Sequence, residues 1–566
     1  MDTTITTTAE AAPSTENLEI IDQPLSLLFP ALQRRLQRHG LGDSVPGEFP
    51  LAANPSMVLH ILTSCNFDPQ DLARLEASSH VFHFPVLELA MLLLLIDLCG
   101  WLLQATCSFF KQPANFAPDF SLSLPELAAL DMCLKRTIFK AMVEEEREVL
   151  KQRCGGSWKL VLKFLQAAES STRRGKSQAI AGPGHSIAVT SSGAVYSFGD
   201  NSSGQLGLGT LENQARPQLI RSLQGIRIIQ AAVGVGKTVL VSDTGRVYAF
   251  GEDNFEGEAD LQNHELKLVA EPRLVESLKD IFVVQAVMGR LFTAVLSGEG
   301  RVYTLCWGAY EKLGHHTDSS DREPRPLLGP LENLPVVQIA AGYCYLVALA
   351  FQPNGLSVYT VGCGLGGKLE HGSTAHEKYP RLVAHFNTLN LQPVCLAGGS
   401  WHAAVVGRDG RVCTWGWGNC GCLGHGNEDY QALPKVVEGL SHIKAVYVAA
   451  GDSTTFVVSD AGDIYSFGYG ESSNLGHIIG ARGQDYSPII LTKPKLVTSL
   501  NKVTERIVQI GPTNSSSWTA DVHTFVLTES GKLYAFGSGN KGQLGIEFSG
   551  QPGMKAKPER VQIDLS

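Results

Sequence analysis

Three constellations in this 566-residue chain have residue types and spacings that could do chemistry. Ala231-Ala232-Val233-Gly234-Val235-Gly236-Lys237-Thr238 satisfies a relaxed phosphate-loop pattern, whose amides and lysine would cradle a nucleotide's phosphates. That chemistry needs a helix N-terminus directly after the lysine, so that amides and dipole face the anion. Val239-Leu240-Val241-Ser242 follows instead, which reads as a strand and argues against nucleotide. Cys420-x-Cys422-x-x-His425, with Cys413 nearby, offers soft ligands for zinc. Structural zinc sites pair their cysteines across roughly two to four residues, and this spacing is tighter. His185, His402 and His523 are the third set, and each stands eight residues before a glycine. Recurrence at one position points to a structural hydrogen bond. No Ser/His/Asp triad and no carboxylate pair can be assembled from what remains, so no catalytic, cofactor or metal residue is assigned and the chain reads as a non-enzyme.

All three sets sit in one repeated element. Gly193-Ala194-Val195-Tyr196-Ser197-Phe198-Gly199 and Gly204-Gln205-Leu206-Gly207 return as Gly531-Lys532-Leu533-Tyr534-Ala535-Phe536-Gly537 and Gly542-Gln543-Leu544-Gly545. Intermediate copies begin at Gly245, Gly300, Gly410 and Gly462, with a weaker one around Gly355. The seven glycines are 52, 55, 55, 55, 52 and 69 residues apart. Lys237 is in register with His185, Cys422 takes the Gln205 position and Cys413 takes the Tyr196 position. Phe292 and Thr454 replace the histidine in other copies. Each unit holds short β-branched and aromatic runs joined at a glycine, a hairpin signal. A further strand precedes each hairpin, as in Ile226–Val233. A Pro-x-x-Val/Ile segment follows several, as in Pro217–Ile220 and Pro434–Val437. Three or four strands per unit of this length make a propeller blade. The C-terminal Pro558-Glu559-Arg560-Val561 lacks a following hairpin, and the body starts near Ser177–Ala181 without a preceding Pro-x-x-Val. Pairing those two ends in one sheet is the expected closure, since it removes two open edges.

The pattern Gly-x-x-His-Ser/Thr, Gly-x-Val-Tyr-x-Phe-Gly, Gly-Gln-Leu-Gly resembles the regulator of chromosome condensation repeat family over about residues 177–566. The resemblance implies a seven-bladed β-propeller, and it is nearest to plant members. Copies three and four are degraded at Leu313-Gly314 and Lys368-Leu369. The last blade carries extra residues around His477–Ile490 and Thr513–Asp521. The plant ultraviolet-B photoreceptor branch of this family uses clustered tryptophans. The equivalent positions here are Gly184, Gly236, Leu291, Trp401, Ser453 and Val522. Only Trp401 is tryptophan, with Trp415 and Trp417 on the second hairpin strand of that blade. The tryptophan cluster is missing, which argues against photoreception.

Seven of the 58 glycines fall in residues 1–176, so the front is a different structure. Residues 1–45 read as a disordered tail, 46–168 as a small α-helical domain, and 169–176 as a polar linker. Pro125 to about Phe139, Ala141–Arg153 and Trp158–Ala168 carry the helical patterns. Asn54–Glu76 resembles the start of an F-box, with Pro55, Ile61, Leu62, Leu72 and Leu75 as the adaptor-docking residues the resemblance implies. Thr106-Cys107-Ser108-Phe109-Phe110 supplies the next block of that motif, but late. Residues 78–105 therefore read as an apolar insertion, of the kind a retained intron would encode; a genuine extra helix is the alternative. Within it, Phe84–Leu103 approaches membrane-spanning length. Its longest uncharged run is Leu89–Ile96, between Glu88 and Asp97, far short of the roughly 18 residues a span needs.

A net charge of −9 excludes a generally basic, nucleic-acid-coating surface. Arg173-Arg174-Gly175-Lys176 is a small basic cluster, read as solvated linker. Twelve scattered cysteines without an export signal fit reduced thiols in nucleus or cytoplasm. The functional expectation is a non-enzymatic protein-interaction scaffold using a propeller face. The F-box resemblance would make it the substrate receptor of a cullin ubiquitin ligase, bound to a Skp adaptor. The alternative implied by the family is a guanine-nucleotide exchange factor for a Ran-type GTPase.

Overall fold

The computed structural model describes residues 123–565, apart from 172–173, 253–267, 291, 307–322, 370, 471–472, 478–488, 502, 515–521 and 549–552. The candidate adaptor-docking residues Pro55, Ile61, Leu62, Leu72 and Leu75 lie outside the described residues, as does the 78–105 segment. Among the described residues, no helix is long and apolar enough to cross a membrane.

Those residues form two compact units, one containing 123–140 and 157–163, the other 141–156 and 164–565. In the first, the expected helix from Pro125 divides at Lys135–Arg136 into α1 (Leu124–Leu134) and α2 (Thr137–Ala141). Glu126 caps the start of α4 (Trp158–Ser171). Its carboxylate accepts from the Trp158 amide and the Ser157 hydroxyl, each at 2.6 Å. The Trp158 ring meets Phe139 edge-on at 5.9 Å. Helix α4 runs to Ser171, so the first residues of the expected linker are helical.

The second unit contains α3 (Glu144–Arg153) and seven four-stranded antiparallel sheets built from 28 strands. Blade one is β1 (Gln178–Ala181), β2 (His185–Val189), β3 (Val195–Gly199) and β4 (Gln214–Leu219), paired in chain order. The later blades repeat that order over residues 228–274, 283–326, 336–382, 393–436, 445–496 and 507–564. The inner strands are covered on both faces: β2, β6 (Lys237–Ser242) and β18 (His402–Gly407) are buried throughout. Fourth strands are edges and take the prolines, as in Pro217 of β4. The turn glycines Gly193, Gly245, Gly300, Gly355, Gly410, Gly462 and Gly531 all have φ between 77° and 143°. A Cβ at Gly193 would also stand 2.8 Å from the Ile228 amide of the next blade. Turn conformation and blade approach therefore both select glycine there.

The expected closure is corrected. The two chain ends do not share a sheet: β28 (Met554–Asp564) is the fourth strand of blade seven, paired with β27 (Lys532–Ser538), and β1 is the first strand of blade one. Four strands in chain order already complete each blade, leaving no strand to exchange. Closure is side-by-side packing across an apolar seam of Ala179, Ala188, Phe198, Phe525, Leu544 and Val561. Polar bonds reinforce it. The Gln509 amide group bonds both backbone groups of Ala179, at 3.1 and 3.2 Å. Gln230 treats Ala286, and Gln285 treats Ile339, the same way between ordinary neighbours. The last seam thus uses the contacts of the others.

Candidate functional site

The recurring histidines are inter-blade clasps. Thr238 gives its one hydroxyl proton to the Gln205 carbonyl at 2.8 Å, so His185 must donate from Nε2 to Thr238, at 2.9 Å. His402, Thr455 and the Cys422 carbonyl repeat this at 2.7 and 2.8 Å. His523, Ser186 and the Gln543 carbonyl repeat it across the closing seam, also at 2.7 and 2.8 Å. Where the next blade has no hydroxyl, the donor is not histidine. Tyr345 precedes a blade with Ala403 in that place, and its hydroxyl instead reaches the Gly399 and His402 carbonyls at 2.8 and 2.5 Å. Phe292 precedes a blade with Leu346 there. Counting eight back from Gly355 gives Val347. The longer hairpin of β14 (Tyr345–Gln352) and β15 (Gly355–Gly362) puts Tyr345 at the clasp, paired with Gly362 as His185 is with Gly199.

The other two sequence candidates also have structural roles. Gly234–Lys237 is the tight turn between β5 (Ile228–Gly234) and β6, with no helix following. His425 turns Nε2 to Thr414 at 3.1 Å, and the Cys422 thiol donates to the Trp417 carbonyl at 3.1 Å. Burial lowers the His425 pKa to about 4 and pushes the Cys422 thiol up. Arg174 packs over Phe282 at 5.5 Å, and burial lowers its pKa to about 10.

The propeller has one face of hairpin tips, where the turn glycines lie, and an opposite face of first-to-second and third-to-fourth strand connections. The hairpin face is occupied over blades three and four. Arg153 of α3 donates to the carbonyls of Glu299, Gly300, Leu331 and Leu334 at 2.8, 3.4, 3.4 and 3.0 Å. Phe164 of α4 meets Phe351, near the tip of the lengthened hairpin, edge-on at 6.1 Å.

On the opposite face, blades four and five bring aromatic rings together. Trp401 stacks on Tyr343 at 5.0 Å and meets Trp417 edge-to-face at 5.2 Å. The guanidinium of Arg290 lies 5.1 Å over Tyr343, and Lys368 Nζ lies 4.8 Å over Trp401. Lys368 is wholly buried at the Gln205 position of its blade, and its ammonium has no hydrogen-bond acceptor among the described residues. A cavity of about 330 Å³ opens beside this cluster, lined by Trp401, Trp417, Asp452, Tyr469, Asn474 and Thr513 among others. Trp417 is 39% exposed at its rim. Burial raises the Asp452 pKa, the Ser400 hydroxyl opposing it, and Asp452 Oδ1 accepts no hydrogen bond among the described residues.

Counting tryptophans by one repeat position misses this cluster, because its members come from different positions. The signal was present: His402 pairs with Gly416, so residues 401 and 417 must adjoin, and the Trp417 amide donates to the Trp401 carbonyl at 2.9 Å. Leu291, another of those positions, lies outside the described residues.

Residues 161–517 match the model of the RCC1-like domain, and residues 521–543 that of the regulator of chromosome condensation (RCC1) repeat. The chain belongs to the RCC1-like domain family. An RCC1-type propeller is a non-catalytic protein-interaction module. The human E3 ubiquitin-protein ligase HERC2 is 30% identical over 344 residues, which are 60% of this chain and 7% of HERC2. The Arabidopsis thaliana ultraviolet-B receptor UVR8 is 28% identical over 369 residues, 64% of this chain and 81% of UVR8. This RCC1-like chain therefore spans a small part of one relative and most of the other. Similarity to both a human and a plant protein does not single out plant members. The fold is that of Saccharomyces cerevisiae Prp20p, described for its binding to Gsp1p and histones. The TM-score is 0.52 at 19% identity, covering 65% of this chain and 85% of that one.

Proposed function

We propose that the chain is an interaction module that receives a protein partner on the face bearing Trp401, Trp417 and the adjoining cavity. The observation that carries this reading is the asymmetry of the two faces. One face is engaged by Arg153 and Phe164, while the other presents a partly exposed aromatic cluster beside a cavity with unsatisfied polar atoms. Aromatic anchors at the edge of a pocket are the usual carriers of binding energy at such surfaces.

The partner class we propose is a Ran-type GTPase. Its support is the shared fold with Prp20p, which binds Gsp1p. The test is direct binding of a purified Ran-type GTPase, nucleotide-free and GDP-loaded, together with release of a fluorescent GDP analogue. Complex formation with the nucleotide-free form and faster release support exchange activity. No complex at micromolar concentrations excludes this partner.

A second reading, substrate selection for ubiquitin ligation, draws on the relationship to HERC2 and on the F-box resemblance of Asn54–Glu76. Affinity purification of the chain, and of a version lacking residues 78–105, tests it. Co-purification of a Skp adaptor and a cullin supports the reading, and their absence from both removes it.

A further inference from the structure

The cavity beside Trp417 has a polarity that selects its occupant. Among the described residues that line it, the two unsatisfied buried atoms are both acceptors, Asp452 Oδ1 and Asn474 Oδ1. Asn474 is 4% exposed and stands where other blades have Gln205 and Gln543. Those glutamines fold their Oε1 back onto the amides of Ser203 and Lys541, both at 2.8 Å. Asparagine is one methylene shorter, and its oxygen has no donor among the described residues. Asp452 is a partly buried carboxylate whose amide is taken by the Thr513 carbonyl at 2.9 Å but whose Oδ1 has no donor among the described residues. Among the described residues, no lysine or arginine lines the cavity: Lys368 lies over Trp401 and Lys541 pairs with Asp200 at 3.0 Å. The rest of the wall mixes aromatic rings, from Trp401, Trp417 and Tyr469, with small polar, thiol and aliphatic side chains. A partly buried carboxylate without a counter-charge carries a desolvation cost, and a cation with several N–H donors reduces it. Aromatic faces attract cations as well. A volume of about 330 Å³ suits a single side chain or a small molecule.

We propose that this cavity is the socket for an arginine side chain of the protein partner, its guanidinium lying between Asp452 and Asn474 and against the Trp417 and Tyr469 rings. Arginine fits better than lysine because its planar five-donor fork can serve two acceptors while stacking on a ring. This inference deepens the proposed function and rests on that reading of the face.

The probe is a set of three capped tripeptides, acetyl-Gly-X-Gly-amide with X as arginine, lysine or glutamine. Binding to the full chain is followed by tryptophan fluorescence and calorimetry at low salt. The expected order is arginine, then lysine, with glutamine not binding. Asp452→Asn should weaken the arginine peptide about tenfold or more, as loss of a charge-assisted hydrogen bond does. Asn474→Gln, which puts in place the side chain that blades one and seven carry there, should weaken it with the thermal melt unchanged or raised. That second variant separates loss of the socket from loss of the fold. Equal binding of arginine and glutamine peptides, or an unaffected Asp452→Asn variant, overturns the proposal, and a lysine preference overturns the guanidinium assignment. If a partner protein binds wild type and Asp452→Asn alike but not Trp417→Ala, the socket fails while the face reading stands.

Discussion

His185 and His402 are wholly buried, and burial lowers their pKa to about 3 and about 4. In the unfolded chain each titrates near 6.5, so below that pH the unfolded state binds protons that the folded state refuses. Their contribution is complete above about pH 6.5 and is lost as the pH falls toward the folded values, on the order of 1–2 kcal/mol each by pH 5. The melting temperature should therefore fall between pH 7 and pH 5. A His185→Gln, His402→Gln double variant should show a shallower fall, measured as the slope of Tm against pH. An equal slope would mean that other groups set the acid sensitivity. Ser186 is the matching test at the closing seam, since its hydroxyl joins His523 to the Gln543 carbonyl. Ser186→Ala strands a buried imidazole and a buried carbonyl and should cost about 1–3 kcal/mol in chemical denaturation. A cost near zero would show that the seam is held by its apolar contacts alone.

At the scale of elements, the four-strand blade was legible because its turn glycines, aromatic strands and Pro-x-x-Val edges recur in phase. What escaped was the phase of closure. The sequence shows a Pro-x-x-Val strand at the C-terminus and a first strand at Ser177–Ala181, but assigning strands to a blade needs the pairing itself. The lengthened hairpin of blade four was likewise hidden, because Gly355 keeps its spacing of 55 while Tyr345 moves relative to it. The complementarity of clasp residues was readable in principle: His faces Thr or Ser, Tyr345 faces Ala403, and Phe292 faces Leu346. The cavity was not, since Asp452, Asn474 and Trp417 take different positions in the repeat and meet only once blades five and six adjoin. Helix α3 supplies another prediction at this scale. Arg153 serves four carbonyls of the hairpin face, so Arg153→Ala leaves buried acceptors unserved and should cost about 2–4 kcal/mol, with earlier proteolysis within 141–156. An unchanged melt and cleavage pattern would show that α3 is held by other contacts.

For the molecule as a whole, a ring of similar blades gains cooperativity from having no loose seam. Val561 and Leu565 are fully buried in the seam between blades seven and one, although the chain ends there do not share a sheet. Deleting 556–566 should therefore abolish the single cooperative melt, and an unchanged transition would refute the seam's role. The rigid ring also fixes the relation between the two faces, so a partner bound on one need not disturb the other. The most direct test compares wild type, Trp417→Ala and Arg227→Ala for binding to a Ran-type GTPase in the nucleotide-free state. Trp417 lies at the cavity and Arg227 on the hairpin face, where it bonds the Ser191 carbonyl. The account predicts that Trp417→Ala weakens the complex tenfold or more, by about the 2 kcal/mol of an interface hot spot, while Arg227→Ala binds as wild type. Binding that survives Trp417→Ala but falls with Arg227→Ala would place the partner on the other face and contradict it.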